Sequence, residues 1–334
     1  MKQIWLRKTG SPKVLSLESA PDLTEVSDDE VLIDVHYSGI NFADIIMRLG
    51  LYADAPKRPY VPGYEVSGIV KKIGKSVRQF HIGDTVVAAT HFGGYSSQVK
   101  VPQDLVFLVP PHLTLLEASA LPVNWITSHA ALIDMGRVRK GDRVLVDAAT
   151  GGVGTIALQM LKHIGADTTG LTSSVSKLDY IRSLGAKAMT HEEFLTNPNE
   201  NSYDLILNSQ GGSSVRAHYN RLHATGRVVA FGMSSGLKNG KRSLPALLKM
   251  VATMPRFSLI SMFDKNRGVY ALNALSLLQD PTYRKSLQAN WAEIGEQGLR
   301  PHVDKIFSAD RVGDAHALLE SKGARGKVAL SWVD

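Results

Sequence analysis

A glycine-rich turn near the middle of the chain has the residue types and spacing that bind a pyrophosphate. Residues 144–147 are typical of a β-strand, and apolar residues at helical spacing predict a helix from 153 to 164. Glycines let the backbone approach phosphate oxygens, and the N–H groups of a first helical turn point towards the anion. The residues predicted to hold the pyrophosphate of a dinucleotide are Thr150, Gly151, Gly152, Val153 and Gly154.

The turn departs from the usual dinucleotide fingerprint, G-x-G-x-x-G, at one position. Gly151 and Gly154 occupy the second and third glycine positions, whereas Ala149 replaces the first. A single match of this kind is weak evidence, so whether the turn binds a dinucleotide is judged from the neighbouring elements. The helix leads into a second predicted strand at 168–171, which completes a β-α-β unit of the kind that binds dinucleotides.

The residues after this second strand bear on which dinucleotide binds. An NAD site places Asp or Glu there, on the ribose 2′-hydroxyl. This chain has Thr172, Ser173 and Ser174, followed by Lys177. Because hydroxyls and an ammonium bind a 2′-phosphate and no carboxylate repels it, the sequence favours NADPH over NAD. The alternative is a serine-rich loop that caps the next helix through Ser176.

The composition is that of an ordinary globular protein, and it excludes several kinds of site. The chain has 334 residues, 44% hydrophobic and 21% charged, which is long enough for two domains. It has no cysteine, which excludes disulfides, thiolate metal sites and cysteine nucleophiles. The net charge is +7, but the basic residues are dispersed, so nucleic acid and membrane partners are disfavoured. The amino terminus lacks a signal-peptide core, and we expect a cytoplasmic protein.

Two sequence patterns divide the chain into a β-rich region and a region of alternating strands and helices. Short β runs separated by Gly and Pro fill the first 120 residues and are typical of a compact β-barrel. From about Asn124, alternating β-α units predict a doubly wound parallel sheet, with strands at 203–208 and 227–231. The tail is predicted to contain helices at 269–278 and 288–297 and paired segments at 302–307 and 327–332. We expect this tail to return to the barrel, so that a cleft separates the two domains.

An apolar stretch at 244–263 approaches the length of a membrane span. Charged residues and prolines interrupt it, and Pro255 separates a short helix from a strand-like run at 257–262. We therefore expect a helix and a strand that are buried or face a second subunit. The alternative is a hydrophobic lid or a contact with a membrane surface.

A series of motifs through nearly the whole chain resembles a known family. N-x-x-D-x-x-x-R-x-G-x-Y spans 41–52, P-G-Y-E spans 62–65, G-D-T-V spans 83–86 and G-K-V spans 326–328. In order and spacing, these motifs resemble the zinc-free quinone oxidoreductase branch of the medium-chain dehydrogenase/reductase superfamily. Residues 265–267 are similar to the subgroup that contains the synaptic vesicle membrane protein homologue.

This resemblance implies an α/β fold with a Rossmann doubly wound parallel sheet and a GroES-like β-barrel catalytic domain. The implied boundaries are 1–123 for the first part of the catalytic domain, 124–266 for the NADPH-binding domain and 267–334 for the return segment. Relatives pair across a twofold axis, so we expect a homodimer formed through 228–231 and 257–262.

The resemblance also implies site residues. Zinc-dependent relatives have metal ligands at the positions of Asn41 and Tyr64, so no metal is expected here. Asn41, Tyr52 and Thr127 are implied around the nicotinamide and the acceptor, and His191 stands where the family often has a tyrosine that contacts the adenosine phosphate. We expect Asp44 and Glu65 to make structural hydrogen bonds. Further cofactor contacts are predicted at Gly211, Gly232 and Lys327.

Without a metal to depress the pKa of an alcohol, alcohol oxidation is disfavoured, whereas acceptors that are already electrophilic need less help. The favoured function is hydride transfer from NADPH to a quinone. One alternative is reduction of an α,β-unsaturated carbonyl, either an enone or an enoyl-thioester. A further alternative is a non-catalytic nucleotide-, RNA- or membrane-binding protein on the same scaffold.

Overall fold

The computed structural model describes residues 1–52, 54–196, 202–238, 241–242, 244–321 and 323–333. The chain divides into two compact units. One unit combines Met1–Val123 with Leu275–Asp334, and the other is the intervening segment Asn124–Ala274. We call them the outer unit and the middle unit.

The outer unit begins with a largely antiparallel sheet. The first part of the outer unit contains strands β1 (Lys2–Leu6), β2 (Leu15–Ser19), β3 (Glu30–Ile40), β4 (Glu65–Ile73), β5 (Thr85–Ala89), β6 (Gln98–Pro102) and β7 (Val106–Leu108), and helices α1 (Phe42–Arg48) and α2 (Leu115–Ala118). β1 and β2 pair with each other in a separate two-stranded sheet. β3 pairs antiparallel with both β4 and β6. Val31, Ile33 and Val35 on β3 are buried, so this strand carries the core of the unit.

The middle unit is a parallel sheet with helices between its strands. Its elements are α3 (Pro122–His129) with a π-helical continuation (Ala130–Asp134), β8 (Arg143–Val146), α4 (Gly152–Ile164), β9 (Asp167–Thr172), α5 (Leu178–Ser183), β10 (Lys187–Thr190), α6 (His191–Thr196), β11 (Tyr203–Asn208), α7 (Ser213–Asn220), β12 (Leu222–Ala230), β13 (Leu237–Lys238), β14 (Lys241–Arg242), α8 (Leu244–Ala252), α9 (Leu259–Lys265) and β15 (Gly268–Ala271). The strand order β10-β9-β8-β11-β12-β15 is parallel throughout. This confirms the predicted doubly wound sheet, whose order reverses beside β8, where such folds bind ligands.

The carboxyl-terminal segment returns to the sheet of the outer unit. It contains α10 (Ala274–Leu277), α11 (Pro281–Asn290), α12 (Glu293–Glu296), β16 (Val303–Ser308), α13 (Val312–Glu320) and β17 (Lys327–Ser331). β17 pairs antiparallel with β3 and parallel with β16, which extends the sheet to seven strands.

The structure corrects the prediction of the tail. The expected helix at 269–278 is wrong in its first part, because Val269 and Tyr270 lie in register with Val228 and Val229 on β12 and form strand β15, and only Ala274–Leu277 is helical. Pairing along β12 therefore overrides the local helical spacing, and residues 267–274 belong to the middle unit rather than to a return segment. The expected helix at 288–297 is divided between α11 and α12.

The apolar stretch also differs from its prediction. The strand-like run at 257–262 is wrong, because Ser258 Oγ accepts a hydrogen bond from Ser261 N at 3.2 Å and caps helix α9. Leu259, Ile260 and Phe263 on α9 are 84%, 77% and 83% exposed, so the chain itself does not bury them. In the described part of the chain, no helix is long and apolar enough to cross a membrane.

Candidate functional site

The turn between β8 and α4 brings the predicted pyrophosphate residues together at the carboxyl end of the parallel sheet. Gly151 is the N-cap residue of α4, with an extended backbone. A Cβ atom on Gly154 would lie 2.5 Å from the carbonyl oxygen of Ala148 and 2.7 Å from the Cα of Ala149. Gly154 therefore permits α4 to pack closely on the turn. The first N–H groups of α4 lack intrahelical acceptors and suit an anion.

Ala149, the residue that replaces the first glycine of the fingerprint, is accommodated by its neighbours. A Cβ atom on Gly170 of β9 would lie only 2.7 Å from the Cβ of Ala149. Ala148 adopts a left-handed conformation with φ of 51°, which makes the tight turn without a glycine. The turn therefore has a side chain at Ala149, and the adjacent strand has a glycine, Gly170, where that side chain lies.

The end of β9 presents the residues predicted to select the dinucleotide. Ser173 is exposed and Ser174 is half-buried. The Oγ atoms of Ser174 and Ser176 lie 2.8 Å apart, and Ser174 N donates to Thr172 Oγ1 at 3.3 Å. The prediction that Ser176 caps the next helix is wrong, because Lys177 is the N-cap residue of α5 and makes no capping hydrogen bond.

A polar network that the sequence did not predict lies at the same end of the sheet. Asp147, directly after β8, is fully buried and accepts a hydrogen bond from His191 Nε2 at 2.7 Å. Gln210 Nε2 and Ser209 Oγ donate to the same carboxylate, both at 3.0 Å. His191 is therefore bound to a buried carboxylate instead of lying free on the surface.

The predicted glycines after β11 and β12 are required by the backbone itself. Gly211 has φ of 67°, a left-handed conformation that favours glycine. A Cβ atom on Gly232 would lie 2.4 Å from the carbonyl oxygen of Ser209. Cofactor contact by these two residues stays a prediction, and turn geometry alone accounts for their identity.

In the outer unit, Asn41 is held by a buried ion pair. Asn41 Oδ1 accepts a hydrogen bond from Lys327 Nζ at 2.6 Å, and Asn41 Nδ2 donates to Glu65 Oε1 at 2.9 Å. Lys327 Nζ lies 2.5 Å from the same Glu65 oxygen, and both charged side chains are buried. The ion pair therefore fixes the orientation of the Asn41 amide. Lys327 and Glu65 each begin a largely apolar strand. A charged residue in that position is unexpected, and it was the feature of the sequence that could have indicated the buried ion pair.

These residues do not form a zinc site. The ammonium of Lys327 occupies the oxygens of Asn41 and Glu65 that face each other, and an ammonium is not a zinc ligand. Tyr64, at the other position implied for a metal ligand, donates its hydroxyl to Met47 Sδ at 3.0 Å. Within the described ranges, no three His, Cys, Asp or Glu side chains cluster in a way that could hold a metal ion.

Tyr52 places a phenol beside Tyr64. Its ring centroid lies 6.4 Å from that of Tyr64, and the side chain is half-buried. Burial raises the pKa of Tyr52, so its hydroxyl is protonated at neutral pH and can donate a hydrogen bond. Thr127 lies in the middle unit, on α3, where it is buried. Asn41 and Tyr52 thus share one unit, and Thr127 belongs to the other.

Asp44 makes the structural hydrogen bonds that were expected of it. Its two carboxylate oxygens accept from Asn41 N at 2.8 Å and from Gly63 N at 3.2 Å, which caps α1. Complete burial raises the pKa of Asp44 to about 7, despite these hydrogen bonds. Glu65 likewise accepts from Val123 N at 2.9 Å.

Two family comparisons cover most of the chain. Residues 27–111 match the alcohol dehydrogenase GroES-like domain, and residues 184–330 match the zinc-binding dehydrogenase family. The GroES-like match lies in the outer unit, on the antiparallel sheet, as the fold prediction requires.

Several curated proteins are similar to this chain. The human synaptic vesicle membrane protein VAT-1 homolog is 31% identical over 299 residues, which cover 87% of this chain and 76% of that protein. The Danio rerio protein of the same name is 30% identical over 309 residues, and the chain spans only 64% of its length. A quinone oxidoreductase of Sus scrofa is 29% identical over 339 residues, covering 99% of this chain and 97% of that enzyme.

Solved structures share the fold. The human synaptic vesicle membrane protein VAT-1 homolog-like protein superposes with a TM-score of 0.85 at 23% identity, covering 100% of this chain and 98% of that one. The Escherichia coli quinone oxidoreductase complexed with NADPH gives a TM-score of 0.83 at 23% identity, covering 99% and 100%. The CurK enoyl reductase gives 0.83 at 24% identity, covering 99% and 98%.

Proposed function

The chain belongs to the medium-chain dehydrogenase/reductase family, in its zinc-free quinone oxidoreductase branch, and from that premise we propose that it transfers hydride from NADPH to a quinone. The family is one of oxidoreductases, so the proposal concerns the choice of cofactor and acceptor. The Escherichia coli relative was solved with NADPH, which supports the choice of cofactor.

One observation carries the proposal. The turn from Ala149 to Gly154 opens α4 at the switch point of a parallel sheet, and the adjacent strand β9 ends in hydroxyls rather than in a carboxylate. The backbone at 150–154 would hold the pyrophosphate, and Ser173, Ser174 and Lys177 would hold the 2′-phosphate. Gly211 and Gly232 complete the proposed contacts in the middle unit, whereas cofactor contact by Lys327, whose ammonium is bound by Asn41 and Glu65 in the outer unit, stays a prediction. When bound, NADPH supplies the hydride.

The outer unit supplies the groups that orient the acceptor. Both ends of the Asn41 amide are engaged by Lys327 and Glu65, so Asn41 acts as a positioning residue. The protonated hydroxyl of Tyr52 is the proposed donor to the acceptor oxygen that gains negative charge. Thr127 is the proposed contact from the middle unit. The final proton comes from solvent.

A panel of acceptors tests the proposal. Oxidation of NADPH is followed at its absorbance band with quinones, enones and enoyl-thioesters. We expect the largest kcat/KM with quinones and a large loss of that value in Tyr52→Phe. Turnover confined to the enones or thioesters would favour the second candidate, which the fold shared with the CurK enoyl reductase supports. Tight NADPH binding without turnover on either panel would indicate a non-catalytic binding protein.

We propose a homodimer contact at the edge of the parallel sheet. The predicted pairing through 228–231 is wrong, because β12 lies between β11 and β15 and has no free edge. β15 is the edge strand, and the exposed apolar residues of α9 precede it directly. Light scattering of the purified chain should give twice the monomer mass, and Phe263→Lys should shift it towards the monomer.

A further inference from the structure

A cavity of about 260 Å³ lies within the middle unit, at the amino ends of the parallel strands. Its lining includes Arg143 at the start of β8, Asp167 at the start of β9 and Lys187 at the start of β10. β9 has six residues, so roughly 17 Å of strand separates this end of the sheet from the carboxyl end, where the dinucleotide is proposed to bind. A ligand in this cavity would therefore leave the dinucleotide site open.

The register of the sheet brings the polar wall of the cavity together. Arg143 lies in register with Asp167, and Thr169 lies in register with Lys187. Residues in register on neighbouring strands share a face of the sheet, and so do alternate residues along one strand. These four side chains therefore lie on the same face, and the buried ring of Phe194 on α6 lines the cavity with them.

The helix side of the cavity is apolar. Phe194 is buried in the hydrophobic cluster of the middle unit, and Met189 of β10 packs against that cluster. A ligand gains free energy by burying apolar atoms against these two side chains. The volume lies just below the range of about 300–1,000 Å³ in which drug-sized ligands bind, so the cavity suits a smaller body of about the size of one or two rings.

Arg221, directly after α7, places a guanidinium at this apolar wall. Its Cζ lies 5.2 Å from the ring centroid of Phe194, and its Nη2 donates a hydrogen bond to the carbonyl oxygen of Phe194 at 3.1 Å. These two contacts hold the side chain in place. A guanidinium has five N–H donors in a planar fork, so it can bind a carboxylate while it keeps this hydrogen bond.

Tyr203, the first residue of β11, adds a hydroxyl at the same point. Burial raises the pKa of Tyr203, so the hydroxyl keeps its proton at neutral pH and can donate a hydrogen bond. A hydrogen bond with the Thr169 side chain and the charges of Arg221 and Lys187 lower this pKa in part. The two cations therefore act on the hydroxyl that lines the cavity with them.

The charges at the cavity favour an anion. Lys187 Nζ lies 2.7 Å from Asp167 Oδ1, and Arg143 Nε lies 3.3 Å from Asp204 Oδ2. With Arg221, the described groups at the cavity include three cations and two carboxylates. The excess is one positive charge, which matches a ligand that carries one negative charge.

We propose that this cavity is a second binding site of the chain, for a small organic monocarboxylate. The apolar body of the ligand lies against Met189 and Phe194, and its carboxylate accepts hydrogen bonds from Arg221 and from the hydroxyl of Tyr203. The site goes beyond the proposed function and does not depend on it, because none of these residues belongs to the proposed dinucleotide or acceptor contacts.

The first test is calorimetric titration of the purified chain with 2-naphthoate, with and without saturating NADPH. We expect one bound molecule with a Kd below about 1 mM, unchanged by NADPH. Acetate lacks the apolar body and 2-naphthamide lacks the charge, so each should bind at least roughly tenfold more weakly. Inorganic phosphate or 2-naphthamide that binds as tightly as 2-naphthoate overturns the proposed ligand class, and loss of binding in the presence of NADPH overturns the separate site.

The second test places the ligand. Arg221→Gln should weaken binding of 2-naphthoate by roughly tenfold or more, and Tyr203→Phe, which keeps the buried ring, by a smaller factor. Arg182→Gln, an exposed arginine on α5, is the matched control and should leave the Kd unchanged. If Arg221→Gln does not fold, Tyr203→Phe alone decides the test. An unchanged Kd in the folded variants, or equal weakening in Arg182→Gln, overturns the site, and the NADPH titration of the same proteins tests the proposed function separately.

Discussion

Gly154 gives the sharpest test of why the nucleotide turn has its sequence. In Gly154→Ala, the added Cβ would lie 2.5 Å from the carbonyl oxygen of Ala148 and 2.7 Å from the Cα of Ala149. Both are backbone atoms, which cannot swing aside as a flexible side chain can. The start of α4 would therefore have to move by about 1 Å to restore van der Waals contact.

Two effects of opposite sign determine how far Gly154→Ala changes the free energy of unfolding. Alanine in a helix is favoured over glycine by about 1 kcal/mol. Overpacking a close contact costs about 1–3 kcal/mol, and here the contact is with rigid backbone. We expect Gly154→Ala to lower the free energy of unfolding by up to about 2 kcal/mol net, towards the upper end because the contact is with backbone. The shift of the first helical turn should weaken NADPH binding by roughly tenfold or more.

Gly295→Ala is the matched control. Gly295 also lies in a helix, α12, and an added Cβ meets no atom within 4 Å. The same substitution should therefore stabilise the chain by up to about 1 kcal/mol and leave NADPH binding unchanged. Urea denaturation and NADPH titration of both variants provide the comparison. A Gly154→Ala protein as stable as Gly295→Ala, with unchanged NADPH affinity, would refute the packing argument.

Three further predictions concern buried charges of the outer unit. Lys327→Met strands the Glu65 carboxylate and should destabilise the chain by about 3–5 kcal/mol in urea denaturation, with much of the loss recovered when Glu65→Gln is added. The pKa of Asp44 is raised from 3.8 to about 7, so the folded state holds a proton that the unfolded state releases. The stabilisation that this proton gives the folded state is full below about pH 4 and is lost as the pH rises through 7, by up to about 4 kcal/mol. Asp44→Asn should remove this dependence of the free energy of unfolding on pH. Profiles of stability against pH that run parallel for variant and parent would contradict the prediction. Arg48, buried on α1, pairs with Glu320 on α13, and Arg48→Met should lower the thermal midpoint by more than the double variant with Glu320→Gln does.

The local part of the site was predictable from sequence because its chemistry is local. The turn at Gly151 and Gly154 needs close backbone approach, and the parallel sheet follows from alternating β-α units. Ala149 departs from the dinucleotide fingerprint. The glycine that makes room for its side chain, Gly170, could not be identified from sequence, because it depends on the register between β8 and β9. The apolar spacing at 269–278 predicted a helix because pairing with β12 does not show in the local pattern.

The polar networks were hidden for a related reason. Lys327 and Glu65 are far apart in sequence and meet because β17 and β4 both pair with β3. Asp147 and His191 meet only because β8 and β10 flank β9 in the sheet. The local sequence does not show which residue each of these charges pairs with, because only the strand order brings the partners together.

A dinucleotide site that selects the 2′-phosphate underlies the proposed function, and competing titrations of NADPH and NADH measure that selection. The purified chain should bind NADPH at least about tenfold more tightly than NADH. Ser173→Asp, which places a carboxylate at the exposed end of β9, should reverse that preference, whereas Ser183→Asp on the exposed side of α5 should not. Equal affinity for the two dinucleotides, or a preference that Ser173→Asp leaves unchanged, would contradict the account.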